Sequence, residues 1–127
     1  MTTLEQVHSD KAPAAIGPYS QAIKTGSLAF LSGQIPLDPQ TMEIVSEDVA
    51  AQTHQVFRNL IAVAEAAGGN LSNAVKLTIY VTDLGDFAVV NEIMAGYFSE
   101  PYPARATIQV SALPKGSSVE IDAVLAL

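Results

Sequence analysis

Two stretches near the C-terminus hold the side chains with the most chemistry to offer. Pro103-Ala104-Arg105-Ala106-Thr107-Ile108-Gln109-Val110 carries one of only two arginines in the chain, and Ser118-Val119-Glu120-Ile121-Asp122-Ala123-Val124 sets two carboxylates among apolar residues. Both read as strands. Alternation puts Arg105, Thr107 and Gln109 on one face and Ala106, Ile108 and Val110 on the other, which suits a packed core. It likewise separates Glu120 and Asp122 from Val119, Ile121 and Ala123. A guanidinium is a rigid five-donor fork that grips a carboxylate bidentately. Arg105 is therefore either paired to a carboxylate of the protein or reserved for a ligand anion, and spacing alone leans to the internal pair. Glu120 is a candidate general base or water-orienting group, or else a partner for Arg105 or Lys76. By proximity the two stretches form a hairpin.

Other chemistries find less support. His8 and His54 have no second histidine or carboxylate at ligand spacing, so no metal site is expected. No nucleophile-elbow pattern exists that would recruit either into a triad. The glycines form no phosphate loop or dinucleotide fingerprint, and Gly68-Gly69 reads as a helix stop. Tyr19, after Gly17-Pro18, is either a polar lid on a pocket or a half-buried strand aromatic. Asn91 falls between Phe87 and Met94 and reads as structural, satisfied by nearby backbone. Lys76 reads as a solvent-facing strand residue.

The elements that must position these residues follow from pattern. Residues 1–12 are polar and aperiodic. Tyr19 to Lys24 alternates weakly, Thr25-Gly26-Ser27 is a turn, and Leu28 to Ser32 completes a hairpin. Gly33 lets backbone approach a ligand closely. Ile35 to Thr41, with two prolines, is a loop. Ser46 or Asp48 caps a helix to about Ala67, with Val49, Val56, Leu60, Val63 and Ala67 as its apolar stripe. His54, Arg58 and Glu65 share another face, toward solvent. Val75, Leu77, Ile79 and Val81 mark a strand. Asp83 caps a second helix through about Phe98, with Phe87, Val90, Met94 and Phe98 buried. The order is strand, strand, helix, strand, helix, strand, strand: an α+β or α/β layer with helices on one face of a mixed sheet.

The chain's 127 residues suit a single domain, 1–127. Apolar residues make up 49% and charged residues 15%, against about 25% in ordinary domains. So few charges, and a sheet face with no element left to cover it, imply burial against another subunit. A net charge of −7 disfavours nucleic-acid and anionic-membrane partners. There is no cysteine, which removes disulfides and thiolate catalysis. The N-terminus lacks the pattern of a secretory signal, and no apolar run reaches membrane-spanning length. The expectation is a soluble cytoplasmic protein.

The chain resembles the RidA (YjgF-like) family of imine deaminases over nearly its whole length. The resemblance is carried by Ala12-Pro13-Ala14-Ala15-Ile16-Gly17-Pro18-Tyr19-Ser20-Gln21, Ser32-Gly33-Gln34-Ile35-Pro36-Leu37, Asn59-Leu60, Val75-Lys76-Leu77-Thr78, Asp83-Leu84-Gly85-Asp86-Phe87, Val90-Asn91, Pro103-Ala104-Arg105, Leu113-Pro114-Lys115 and Val119-Glu120-Ile121. It implies a chorismate-mutase-like fold in a homotrimer with clefts at the subunit interfaces. In that fold the last strand inserts between earlier ones, contrary to the hairpin suggested by proximity. The implied reaction is hydrolysis of short 2-imino acids, tautomers of 2-aminoacrylate or 2-aminocrotonate, to 2-keto acids and ammonia, without metal or organic cofactor. By resemblance Arg105 clamps the substrate carboxylate and Glu120 positions water, while Tyr19, Ser32, Gly33 and Asn91 line or support the pocket. An imine carbon is already electrophilic, so orientation and one water-handling carboxylate suffice.

Two departures stand out. Thr107 replaces a Cys common in the family, which bears on substrate preference. Met42 replaces the Gly of a tight turn; if that turn keeps a positive φ, Met costs roughly 1 kcal/mol or more. Competing readings are a non-catalytic ligand-binding module of the same fold, a nuclease or translation inhibitor, and a hydrolase of a larger aminoacrylate. The acidic charge and the lack of a basic stripe or paired histidines speak against the nuclease.

Overall fold

The computed structural model describes residues 3–127 and places six strands in one sheet, in the order β1-β2-β3-β6-β4-β5, with two α-helices. Residues 1 and 2 of the polar opening stretch lie outside the described chain. Within the rest, β1 (Glu5–Val7) pairs antiparallel with β2 (Ala22–Thr25). At three residues it is too short to show a period. β2 and β3 (Leu28–Gln34) form the expected hairpin around Gly26, at φ 57°. The strand begins at Ala22, so Tyr19 belongs to the segment before it.

Helix α1 (Val49–Ala66) starts where Asp48 accepts the Ala51 N–H at 3.0 Å, and ends at Gly68, whose φ of 93° needs no side chain. Of its expected stripe, Val56, Leu60, Val63 and Ala67 are buried, joined by Phe57, while Val49 is partly buried. His54 is not a solvent-facing residue: it is half-buried, with Nδ1 2.8 Å from the Tyr97 hydroxyl. In β4 (Ala74–Val81), Leu77, Ile79 and Val81 are buried as expected. A bulge between Ala74 and Lys76 leaves Val75 outside. Asp83 caps a short 3-10 turn (Leu84–Asp86), and α2 (Phe87–Ala95) follows, ending before the expected Phe98 at Gly96. No helix among the described residues is long and apolar enough to cross a membrane.

The C-terminal half departs from proximity. β5 (Ala104–Gln109) runs parallel to β4 on the sheet edge, while β6 (Val119–Ala126) lies antiparallel between β3 and β4. The hairpin of the two C-terminal stretches is therefore wrong, and the inserted last strand implied by the resemblance is right. Turning β5 parallel to β4 requires a crossover, which α2 supplies.

This register also inverts the expected faces of β5. Arg105, Thr107 and Gln109 stand level with Leu77, Ile79 and Val81, so they share the helix-covered face. Ala104, Ala106 and Ile108 stand level with Lys76, Thr78 and Tyr80 on the open face. That face is mixed: Phe30, 45% exposed, and Ile108, 46% exposed, share it with Lys76, Thr78, Tyr80, Glu120 and Asp122. Alternation separates two faces without saying which one the helices cover.

Asn59 ties the loop after β3 to α1. It is buried, its Nδ2 donates to the Leu37 carbonyl at 3.1 Å and the Ile35 carbonyl at 3.3 Å, and its Oδ1 accepts from Gln55 at 2.9 Å. Asn59→Ala strands a buried carbonyl and should lower the unfolding free energy by about 1–3 kcal/mol. Urea denaturation checks this; an unchanged midpoint would show the tie to be dispensable.

Candidate active site

Glu120 leaves β6 toward the open face, at the end of the sheet where β3 is irregular between Leu31 and Gln34. A Cβ on Gly33 would sit 2.5 Å from Glu120 Oε2, so glycine is required for the carboxyl to lie there. Glu120, Gly33, Tyr19 and Met42 line a cleft of about 470 Å³ whose other walls are largely apolar. Its rim is built on β3: the Ser32 hydroxyl donates to the Ser20 carbonyl at 2.6 Å and the Ser32 N–H to the Gln21 carbonyl at 2.9 Å. Gln21, buried, donates to the Pro13 carbonyl at 2.8 Å and accepts the Ser9 N–H at 2.6 Å. Tyr19 is 53% exposed at the rim, the lid position rather than a half-buried strand aromatic.

Burial pushes the Glu120 carboxyl above the usual carboxylate range, and the like charge of Asp122 adds to it. Asp122 in turn accepts from the Tyr80 hydroxyl at 3.0 Å. That bond is the largest cause raising the Tyr80 phenol above its ordinary value. A half-buried carboxyl with a raised affinity for protons is suited to take one from water.

Arg105 lies elsewhere. Its Nη1 donates to Asn91 Oδ1 and approaches the Met94 sulfur at 3.7 Å, and the guanidinium sits 5.2 Å from the centre of the Phe87 ring. α2 thus sets the fork. The Leu84 N–H, which donates to Gln109 Oε1 at 2.9 Å, locks the start of that segment onto β5. Asn91 is exposed and bonds this arginine, not nearby backbone as its place in the helical pattern suggested. Arg105 opens on one side to a cleft of about 480 Å³ with Asn91 and Tyr102, and on the other to a recess shared with Thr107. The Thr107 hydroxyl is buried with no hydrogen-bond partner.

The two groups therefore stand on opposite faces of the sheet, in separate clefts. Ion pairs among the described residues are Lys24–Glu5 at 3.6 Å and His8–Asp10 at 2.8 Å, so neither Arg105 nor Lys76 pairs with Glu120. Within the chain, Glu120, Tyr19 and Gly33 line one cleft, with Ser32 tying the segment behind its rim, and Arg105, Asn91 and Thr107 gather at another place. Among the described residues no three His, Asp or Glu side chains converge as a metal site. The anchors Gln21 and Asn59 escaped reading by residue pattern, because nothing in local spacing marks a buried amide that ties down a loop.

The profile of the family described as Endoribonuclease L-PSP matches residues 9–127. Protein DfrA of Myxococcus xanthus is 61% identical over 120 residues, 93% of this chain and 92% of that one. The human 2-iminobutanoate/2-iminopropanoate deaminase is 47% identical over 118 residues, 93% of this chain and 86% of that one. The crystal structure of RidA from an Antarctic Psychrobacter species superposes with a TM-score of 0.93 at 53% identity, covering 97% of this chain and 99% of that chain.

The raised Glu120 group has two consequences. Its ionisation is less favourable folded than unfolded, so stability falls as pH rises from the unfolded value toward the folded one. Glu120→Gln should therefore gain stability relative to the parent between pH 4 and pH 7, and Asp122→Asn should show part of that gain. Denaturant titrations at both pH values check this; a difference independent of pH would show Glu120 to be unperturbed. Thr107→Val removes a hydroxyl that has lost water without gaining a partner, and should leave the free protein equally stable or up to about 1 kcal/mol more stable. A clear loss in a thermal melt would show that the hydroxyl is bonded after all.

Proposed function

Since the chain belongs to the Endoribonuclease L-PSP family, the RidA (YjgF-like) proteins, we propose that it hydrolyses short 2-imino acids to 2-oxo acids and ammonia. The observation that carries this reading is Glu120: a half-buried carboxyl set against Gly33, with its proton affinity raised and, among the described residues, no salt bridge to a cation. The human relative bears the name 2-iminobutanoate/2-iminopropanoate deaminase.

In the proposed mechanism Arg105 holds the substrate carboxylate through the donors that Asn91 leaves free. Glu120 takes a proton from water as the oxygen adds to C2 of the C=N bond, and returns it to nitrogen. The resulting carbinolamine collapses: the C–N bond breaks, C2 becomes a carbonyl, and ammonia departs with the hydroxyl proton. No cofactor is needed, because the imine is electrophilic at the outset. The Thr107 hydroxyl is a further donor beside the carboxylate, and Tyr19 walls the Glu120 side, supported by the Ser32 tie to the Ser20 carbonyl.

For this to happen the two half-sites must come from different subunits. We place Arg105 of one chain opposite Glu120 of the next in a cyclic homotrimer. The open face of the sheet, with Phe30 and Ile108 exposed and no helix over it, is the surface such an assembly would cover. A nuclease reading finds less: the net charge is −7, and His8 and His54 are engaged separately by Asp10 and Tyr97.

The test is release of 2-oxo acid and ammonia from 2-iminobutanoate and 2-iminopropanoate generated in situ. Arg105→Lys should weaken 2-oxobutanoate binding by roughly 2–3 kcal/mol. Glu120→Gln should leave that binding nearly unchanged while kcat falls on the order of 10²-fold or more. Mixed by co-refolding, the two variants should recover roughly a quarter of parental sites, because each mixed cyclic trimer regains one interface with both groups intact. No recovery on mixing, with trimers formed, would sink the shared site.

A further inference from the structure

Met42 and Lys115 are the two non-glycine residues among those described that hold a left-handed backbone, at φ 59° and 57°. Both line the Glu120 cleft, and they are joined across it: Lys115 Nζ donates to the Met42 carbonyl at 2.9 Å. The Met42 turn is closed by its own N–H on the Asp38 carbonyl at 2.8 Å and by the Asp38 N–H on the Glu43 carbonyl at 2.9 Å. A side chain in this backbone region is strained, and glycine would close the same turn without strain. Strain of this kind persists where the surroundings over-determine it, and it points to a use for the side chain. Here the side chain is a flexible thioether standing beside Ile35, Leu37 and Pro114 on the apolar wall of the cleft. Such a wall offers no hydrogen bond to a polar substituent and good contact to a hydrocarbon one.

We propose that Met42, held by the Lys115 tether, is the specificity-determining residue of this site and favours, among 2-imino acids, those with a longer apolar side chain over the imine of alanine. This rests on the imine-hydrolase reading. With the carboxylate on Arg105 and C2 at Glu120, the substituent at C3 and beyond is directed into the Glu120 cleft. There each methylene buried against Met42 counts toward the transition state, and the alanine-derived imine has none beyond its methyl group.

The test compares kcat/KM for the imines of leucine and alanine, both generated in situ. Met42→Ala keeps the strained backbone and removes the thioether; Met42→Gly removes both. In each variant the leucine-to-alanine ratio should fall roughly tenfold, the effect of about one to two methylene contacts. A ratio that stays within twofold of the parent in both variants overturns the proposal. So does a fall seen only in Met42→Gly, which would assign the effect to the backbone. Calorimetric Kd values for 4-methyl-2-oxopentanoate and pyruvate should shift by the same ratio, and they require no turnover. A parent that hydrolyses neither imine but shows this shift would end the deaminase reading and leave the role of Met42 standing. An unshifted binding ratio would end the latter.

Discussion

Arg105 and Glu120 project from neighbouring parts of one sheet toward opposite faces, and the character of each group follows from that separation. Were they paired, the guanidinium would pull the Glu120 proton affinity down and spend its own donors on the protein. Apart, the carboxyl is raised by burial and by Asp122, and the fork is fixed by Asn91 and Phe87 with donors to spare. A carboxyl with a raised proton affinity and a guanidinium with free donors coexist in one chain because the sheet stands between them.

What surrounds each group is held by polar ties as much as by apolar packing. The segment before β2 is fastened by Gln21 and Ser32, and the loop after β3 by Asn59. Each is a buried or half-buried side chain whose hydrogen bonds run to backbone carbonyls of irregular chain. Such carbonyls have no ladder to join, and leaving them dry would be costly. The irregular walls of the Glu120 cleft are in this way fixed to regular elements. That arrangement gives a site more exact positions than free loops provide.

Local elements were legible in the sequence where they carry their own punctuation. Asp48 and Gly68 bound α1, and alternation from Leu77 to Val81 marks β4, because caps and periods are short-range physics. The partner of β5 was not legible, since nothing within residues 103–124 distinguishes a hairpin from a strand inserted elsewhere; the family resemblance supplied that. The inward face of β5 was misread for a related reason: Ala106 and Ile108 stand on the open face, where apolar residues such as Phe30 are also exposed, so apolar type alone did not mark the covered side. The types of Arg105 and Glu120 marked them as candidates for a site. Their placement on opposite faces, and the role of Asn91 as the arginine's partner, depended on the three-dimensional register.

The central position of β6 bears on how the chain acquires its structure during synthesis. β6 joins β3 to β4, so until residues 119–126 emerge from the ribosome the sheet is two pieces, each with an unpaired inner edge. Such edges are templates for pairing with other chains. Contacts that close the core span nearly a hundred residues, from Leu28 to Ala126, and long closures are slow to form. A nascent chain therefore cannot bank its fold element by element from the N-terminus. It must wait, with its sheet incomplete, for the strand that also carries Glu120.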